Sequence, residues 1–218
     1  MSFPRLIDIS PTISERLGVW PGDVSFSREV ALSIEAGDNI GLSATRATVH
    51  LGAHADAPNH YTAGAEGIAA RPLDRYFGRC QVVRVEVKRG ERIRPEHLSA
   101  PIEAPRVLFA TGSFPDPEAW NEDFCALSPE LVDQLASQGV VLVGIDTPSI
   151  DPQDDRKLLS HQRVAAHDMA ILEGVVLDDL SEGLYTLIAL PLKIEGADAA
   201  PLRAALFDDG GRADGRSA

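Results

Sequence analysis

The sequence contains little of what marks several special classes of protein. It has only two cysteines, Cys80 and Cys125, far apart and in no C-x-x-C motif, so we expect two ordinary buried thiols. Basic residues are also scarce: 20 Lys and Arg against 33 Asp and Glu give a formal net charge of -13. That balance argues against nucleic acid or an anionic membrane as a partner. No apolar run approaches the roughly 20 residues that span a membrane, and the first residues show no signal-peptide pattern, so we expect a cytoplasmic protein.

The remaining composition is that of a single globular domain. A chain of 218 residues with 44% hydrophobic residues can bury a full core by itself, and no repeat or Gly/Ser-rich linker divides it. We predict one domain over residues 1–207 and a flexible tail over residues 208–218. Segments rich in Val, Ile and Leu, among them residues 42–50 and 175–177, predict strands, and one helix is predicted from an N-cap at Ser128 to a stop at Gly139. The predicted fold class is α/β, with a mixed, β-rich sheet and a few covering helices.

Three of the six histidines fall within eleven residues, in the pattern H-x-x-x-H-x-D-x-x-x-H formed by His50, His54, Asp56 and His60. Imidazole and carboxylate are the usual ligands of zinc and related divalent metals. A continuous helix is unsuitable because a glycine and a proline interrupt the pattern. A straight strand would place His50 and Asp56 about 20 Å apart. A strand that ends near His50 and curls through Gly52 would return His54 and Asp56 to it, and the sequence therefore predicts a metal site here.

A second segment offers further ligands, because His161 and His167 precede Glu173. In one continuous helix His161 and Glu173 would lie about 18 Å apart. A helix of about two turns, capped by Ser160 and ending near His167, followed by a reversal at Asp168 and a short strand, would return Glu173 toward His161. From the residues alone His161 and His167 are equal candidates as ligands, and either can be an ordinary capped or surface histidine.

The eleven-residue motif, written H-x-G-x-H-x-D-x-P-x-H, resembles the signature of the cyclase family of metal-dependent hydrolases. Supporting stretches lie at residues 6–10, 19–23, 144–151 and 190–198, and the likeness extends from about residue 5 to 207. Within this family the chain resembles the enzymes that hydrolyse N-formyl-L-kynurenine to L-kynurenine and formate in tryptophan degradation. Ala53 departs from the wider family, where many members have Thr, and this removes a possible hydrogen bond near the ligands.

The resemblance implies two zinc ions per subunit, with manganese or cobalt as other metals that such ligands accept. The first ion is implied to bind His50, His54 and Asp56, and the second Asp56, His161 and Glu173. This implication favours His161 over His167 in the second segment. No G-x-S-x-G motif is present and neither cysteine neighbours a histidine, so a metal-activated water is the expected nucleophile.

The resemblance also implies His60 as general acid/base and Trp20 as part of the substrate pocket. Imidazole exchanges protons near neutral pH, but the residues alone also permit His60 as a further ligand and Trp20 as a core tryptophan. The implied partners are a small aromatic formamide and a second copy of the chain. Two alternatives are a related hydrolase that opens a cyclic amide such as isatin, and a noncatalytic metal-binding protein. The absence of cysteine from the cluster favours a working site over a structural one.

Overall fold

One large sheet organises most of the chain in the computed structural model, which describes residues 5–208. The strands of these residues are β1 (Arg5–Asp8), β2 (Ser27–Leu32), β3 (Leu42–Arg46), β4 (His54–Asp56), β5 (Phe77–Arg84), β6 (Arg92–Ile93), β7 (Arg106–Ala110), β8 (Ala126–Leu127), β9 (Leu142–Ile145), β10 (Ala170–Glu173), β11 (Gly183–Ile188), β12 (Ala199–Pro201) and β13 (Ala205–Asp208). The α-helices of these residues are α1 (Pro58–Tyr61), α2 (Pro129–Ser137) and α3 (Leu159–Ala166). Of the tail predicted over residues 208–218, Asp208 is the last residue of β13, and the rest lies outside the described residues.

Nine of these strands form one mixed sheet in the order β1-β13-β11-β5-β7-β9-β10-β4-β12. The four central strands β5, β7, β9 and β10 are parallel to their neighbours within the group, and the outer pairs are antiparallel. Parallel neighbours need a crossover connection, which α2 provides between β7 and β9 and α3 between β9 and β10. The α/β fold class predicted from the sequence is confirmed.

An apolar cluster lies on each face of the sheet. Along β7, Leu108 belongs to one cluster while Val107 and Phe109 belong to the other, because successive side chains of a strand point to opposite faces. Apolar residues of α2 and α3 cover the second cluster. Ile9, which follows β1, and Ala55 of β4 both join the first cluster, although these strands lie toward opposite ends of the sheet. The sheet therefore curls around this core.

Two local predictions have opposite outcomes. The helix predicted after Ser128 is α2: the Ser128 hydroxyl accepts the N–H of Leu131 at 3.2 Å, and Gly139 follows the helix end with a φ of 85°. The strand predicted over residues 175–177 is wrong, because Val176 donates its backbone N–H to Ile9 outside any strand. The strand of that region is β10, whose backbone pairs with β9 and β4.

The strand predicted over residues 42–50 is shorter than expected, since β3 ends at Arg46. β3 pairs with β2 in a separate two-stranded hairpin whose residues are mostly exposed. None of the helices in residues 5–208 is both long and apolar enough to cross a membrane.

Candidate metal centre

The first candidate segment turns sharply before it enters the sheet. His54 and Asp56 are the two ends of β4, which pairs with β10 on one side and β12 on the other, and their side chains share one face because they are two residues apart. Between His50 and β4, Gly52 has a φ of 57°, a left-handed conformation that glycine adopts without strain. The turn returns His50 so that its Nδ1 lies 3.0 Å from Oδ1 of Asp56.

The second segment reverses and runs beside the first. His161 lies in the first turn of α3, and Asp168, with a φ of 50°, reverses the chain before β10. β10 pairs with β4 in a register that sets Glu173 opposite His54. As a result His161 Nε2 lies 3.4 Å from Asp56 Oδ2, and His54 Nε2 lies 3.2 Å from Glu173 Oε2.

The other histidine of this segment points away from the cluster. His167 Nε2 lies 2.8 Å from a carboxylate oxygen of Asp133 on α2, so His161 is the one that joins the cluster. The cap predicted at Ser160 is wrong, because α3 begins at Leu159 with Leu158 at the N-cap, so that Ser160 lies inside the helix. The buried carboxylate of Asp151 instead accepts the backbone N–H groups of Ser160 and His161, both at 3.0 Å.

Two glycines let the two segments touch. Gly174 follows Glu173 with a φ of 67°, and a Cβ added to it would lie 2.2 Å from the carbonyl oxygen of Gly52. A side chain at this position would therefore push the loop that carries His50 away from β10.

Several buried polar atoms of the cluster have no hydrogen-bond partner. They are Nε2 of His54, Nε2 of His161 and both carboxylate oxygens of Asp56. Buried polar atoms are nearly always hydrogen-bonded, so these require an explanation. Possible ligand atoms lie within 4.8 Å of one another in two groups that share Asp56: His50 with His54 and Asp56, and Asp56 with His161 and Glu173. Divalent cations fit this arrangement, because imidazole nitrogen and carboxylate oxygen are the donors that zinc and related metals prefer.

Hydrogen bonds on the far side orient two of these imidazoles. Nδ1 of His54 donates to the carbonyl oxygen of Gly52 at 2.9 Å, and Nδ1 of His161 donates to Oδ2 of Asp151 at 2.8 Å. A neutral imidazole has one N–H, so in both residues the lone pair lies on Nε2, the nitrogen that faces the cluster. Metal-binding histidines in proteins typically have this arrangement.

The support behind His161 is a buried ion pair that sequence reasoning did not find. Asp151 is wholly buried and lies 2.6 Å from Nη1 of Arg92, which also pairs with Asp155. Burial opposes the charge of Asp151, but the hydrogen bonds from His161 and the Arg92 guanidinium hold its pKa well below the usual range. In the sequence, residues 151–157 have the composition of a polar loop, and the one available signal was their position just before His161.

The electrostatics of the cluster favour protonated histidines when no metal is bound. Burial opposes the charge of His54, but the carboxylates of Asp56 and Glu173 outweigh it and raise its pKa to about 10. Burial likewise opposes the charge of His161, and Asp151 and Asp56 raise its pKa to about 10. Burial opposes the charge of Asp56, but the adjacent imidazoles of His161, His50 and His54 hold its pKa well below the usual range. A metal ion that binds here must therefore displace protons.

His60 lies beside the cluster on α1. Its ring centroid is 4.3 Å from that of His50 and 6.1 Å from that of His161, and one third of its side chain (33%) is exposed. One oxygen of Asp198 lies 3.1 Å from Nε2 of His50 and 3.4 Å from Nδ1 of His60. Asp198 was missed in the sequence because 148 positions separate it from His50.

A cavity of about 490 Å³ adjoins the cluster and is lined by its histidines and Glu173. Trp20, Phe114 and Trp120 form an aromatic wall of this cavity. The rings of Trp20 and Trp120 meet edge to face with centroids 5.6 Å apart, and Trp120 Nε1 donates to Gln153 at 2.8 Å. Trp20 was a sequence candidate. Phe114 and Trp120 were not, because nothing in the sequence connects them to the motif.

The lining of the cavity carries no Lys or Arg among the described residues. It has three acidic side chains that belong to neither ligand group: Asp23, Asp146 and Asp178. Asp146 accepts hydrogen bonds from the backbone N–H groups of Thr111 and Gly112 at 2.7 and 2.8 Å, while burial raises its pKa. The cavity is therefore aromatic on one side, and its described lining has no basic side chain other than the histidines.

Comparison with known proteins identifies the family. Residues 7–152 match the model of the cyclase family, whose description is "Putative cyclase", and the chain belongs to this family. The solved structure of a potential metal-dependent hydrolase with cyclase activity is 28% identical, with 94% of this chain and 98% of that one covered and a TM-score of 0.79.

Two further solved structures have the same fold. A predicted metal-dependent hydrolase from Bacillus stearothermophilus is 26% identical, with 95% of this chain and 100% of that one covered and a TM-score of 0.79. Isatin hydrolase A from Labrenzia aggregata, bound to benzyl benzoate, is 21% identical, with 94% and 93% covered and a TM-score of 0.79.

Proposed function

We propose that this protein is a metal-dependent amidohydrolase that converts N-formyl-L-kynurenine to L-kynurenine and formate, in other words a kynurenine formamidase. The observation that carries the proposal is the set of buried, unpartnered imidazole and carboxylate atoms beside an aromatic-walled cavity. The similar metal-dependent hydrolases at 28% and 26% identity support the hydrolase class. The histidine motif and the aromatic wall support an aryl formamide as substrate.

We propose two zinc ions per subunit, held by the two ligand groups that share Asp56. Asp56 offers one oxygen to each group, since Oδ1 lies near His50 and His54 and Oδ2 lies near His161. Bound there, divalent ions supply Lewis acidity and a nucleophilic water near neutral pH. Manganese or cobalt would suit the same donors.

The side chains of this chain bind and orient the substrate. Trp20 and Trp120 pack against the aryl ring, an interaction that aromatic pairs favour in offset or edge-to-face geometry. With the ring held there, the small formyl group reaches the buried ligand groups. His60, at the edge of the cluster and facing the cavity, delivers a proton to the aryl nitrogen as the C–N bond breaks, so that the amine leaves uncharged.

The test is hydrolysis of N-formyl-L-kynurenine by the purified protein, followed by the absorbance of the released arylamine. We expect turnover that a chelator abolishes and added zinc restores. No turnover by a protein with stoichiometric zinc would refute the formamidase assignment, and turnover that resists chelation would refute the metal. The variant His60→Gln is expected to keep its zinc and lose about 10²- to 10⁴-fold in kcat. Loss of zinc instead would make His60 a ligand.

The composition of the cavity favours a second candidate, the opening of a cyclic amide such as isatin. N-formyl-L-kynurenine carries a carboxylate, and no Lys or Arg of residues 5–208 lines the cavity to pair with it. Isatin has no such group. The ratio of kcat/KM for isatin to that for N-formyl-L-kynurenine, measured on one preparation, distinguishes the two reactions.

We also propose that the chain forms a homodimer in the cytoplasm. The hairpin of β2 and β3 supports dimerisation, because Val30, Ile34, Ile40 and Leu42 expose 50%, 68%, 49% and 53% of their surface there. Both cysteines are free and buried, as is typical of a reducing compartment. Light scattering should give twice the chain mass, and Leu42→Glu should shift it toward one chain mass. A monomeric wild type would refute the dimer.

A further inference from the structure

The carboxylate of Asp198 lies between two histidines with different proposed roles. The same oxygen, Oδ2, is 3.1 Å from Nε2 of His50 and 3.4 Å from Nδ1 of His60. The two rings face each other with centroids 4.3 Å apart and planes inclined by 47°. Oδ2 therefore accepts a hydrogen bond from His50 and lies within ion-pair distance of His60.

The backbone around Asp198 is fixed by the sheet. Its carbonyl oxygen accepts the N–H of Ala57 at 2.8 Å, and the next residue, Ala199, begins β12 and pairs with Asp56. The position of Asp198 relative to the ligand strand is thus set by strand register and does not depend on a free loop.

The chemistry of imidazole gives this contact a definite consequence. A neutral imidazole has one N–H, and a nearby carboxylate favours that proton on the nitrogen that faces it, by a hydrogen bond in His50 and by charge attraction in His60. For His50 this leaves the lone pair on Nδ1, the nitrogen 3.0 Å from Asp56 and within the ligand group. For His60 it leaves the lone pair on Nε2, the nitrogen on the other side of the ring.

A third metal ion is the competing interpretation, because His50, His60 and Asp198 also place ligand atoms within 4.8 Å of one another. The neutral ring of His50 has one lone pair, and its Nδ1 already belongs to the group with His54 and Asp56. The Asp198 side chain is also 47% exposed, whereas that of Asp56 is 1% exposed. A hydrogen-bonding role fits both facts.

We propose that Asp198 is a positioning residue that fixes the tautomers of His50 and His60, so that His60 exchanges protons through Nε2. The consequence for catalysis rests on the proposed function. The tautomers themselves do not, and they can be measured without turnover.

The first measurement is therefore a long-range ¹H–¹⁵N NMR spectrum of the imidazoles in the zinc-loaded protein. The signals of His60 are assigned by their loss in His60→Gln. In the wild type we expect His60 protonated on Nδ1. In Asp198→Ala we expect it to shift to the Nε2–H form, and in Asp198→Asn, which keeps an acceptor oxygen, to remain largely on Nδ1. Glu195→Ala removes an exposed carboxylate from the same loop and is expected to match the wild type.

The second measurement is hydrolysis of formanilides whose anilines differ in basicity. Asp198→Ala is expected to lose about 10- to 100-fold in kcat, less than complete removal of a general acid, with KM changed by less than about threefold. The loss should be largest for the most basic aniline, since that leaving group most needs a proton, and Asp198→Asn should recover most of the rate. A merely structural defect would slow all formanilides alike.

The outcomes are separable. An unchanged His60 tautomer in Asp198→Ala overturns the proposal, and so does the loss of one zinc per chain from that variant, which would make Asp198 a ligand. If the wild-type zinc protein hydrolyses no formanilide, the proposed function fails, while the NMR spectra still decide the role of Asp198.

Discussion

Replacing Asp151 by asparagine tests how far the metal centre depends on a residue that binds no metal. The carboxylate is fully buried and accepts hydrogen bonds from Arg92, from two backbone N–H groups and from Nδ1 of His161. In the asparagine variant the amide oxygen still accepts hydrogen bonds, but the amide nitrogen is itself a donor and would face donors that a carboxylate oxygen of Asp151 accepts in the wild type. At least one buried donor then loses its partner, which costs about 1–3 kcal/mol in the free energy of unfolding.

The effect on metal affinity follows from the hydrogen bond to His161. Without a carboxylate at 2.8 Å from its Nδ1, the imidazole is less firmly oriented and a weaker donor to a metal. Such partners are typically worth 10- to 100-fold in affinity, or about 1.4–2.7 kcal/mol. We expect Asp151→Asn to lose affinity in one of the two proposed zinc sites, with the other nearly unchanged.

The matched control is Asp155→Asn. Asp155 also pairs with Arg92, but it makes no contact with His161 among the hydrogen bonds of the described residues. Zinc affinity is measured by competition with a chelator, zinc content by elemental analysis, and the stability of the metal-free proteins by urea unfolding. Equal zinc affinities for the two variants would refute the reasoning, even if Asp151→Asn were the less stable protein.

Three further predictions concern the loop contact, protonation and the cavity. Gly174→Ala should lower the free energy of unfolding by more than about 1 kcal/mol. Gly112→Ala should lower it less, because Gly112 has a similar φ of 62° but open space around the added Cβ. Urea unfolding compares the two variants, and equal costs would mean that the close contact of Gly174 is unimportant. Zinc affinity should rise about tenfold per pH unit for each ion from pH 7 to 9. The reason is that His54 and His161 have a pKa of about 10 and remain protonated in this pH range in the metal-free protein, so that zinc must displace a proton. Histidines of ordinary pKa would instead give zinc affinities that level off above about pH 7. Trp20→Leu should raise KM for an aryl formamide by about 2- to 10-fold and change kcat by less than about threefold, since an aromatic pair contributes about 0.5–1.5 kcal/mol. Steady-state kinetics measure both constants, and an unchanged KM would make Trp20 a structural residue.

The parts of the site that could be predicted lie within short stretches of chain. Gly52 and Pro58 argued against a helix through the motif, and the distance from His50 to Asp56 argued against a straight strand. A turn at Gly52 was the remaining solution, and the structure has it. The reversal at Asp168 was predicted in the same way, because one continuous helix would keep His161 and Glu173 too far apart to share an ion. Strand β4 itself was not predicted, because three residues are too few for a pattern to emerge.

The parts that could not be predicted depend on pairing between distant segments. The burial of Asp151 requires Arg92, which arrives from the short β6, and in the sequence both residues have the composition of polar loops. The strand predicted at residues 175–177 failed for a related reason: the apolar residues there fill the core cluster, while Val176 bonds to Ile9 outside the sheet. Apolar composition predicted their burial but not their backbone pairing.

The division between these parts coincides with a division of roles. Residues that offer donor atoms to a metal occupy one motif and one short helix and strand, since ligands on one ion must lie within a few ångströms and short segments achieve this easily. Residues that orient those donors come from elsewhere: Asp151 contacts His161 on the side away from the cluster, and Asp198, just before the edge strand β12, lies beside His50 and His60. The aromatic wall is equally remote. The motif therefore points to a metal and a hydrolytic reaction, whereas the choice of substrate and the placement of the proton depend on residues that the fold alone brings together. Exchanging Trp120 or Asp198 should accordingly change specificity or rate without removing zinc.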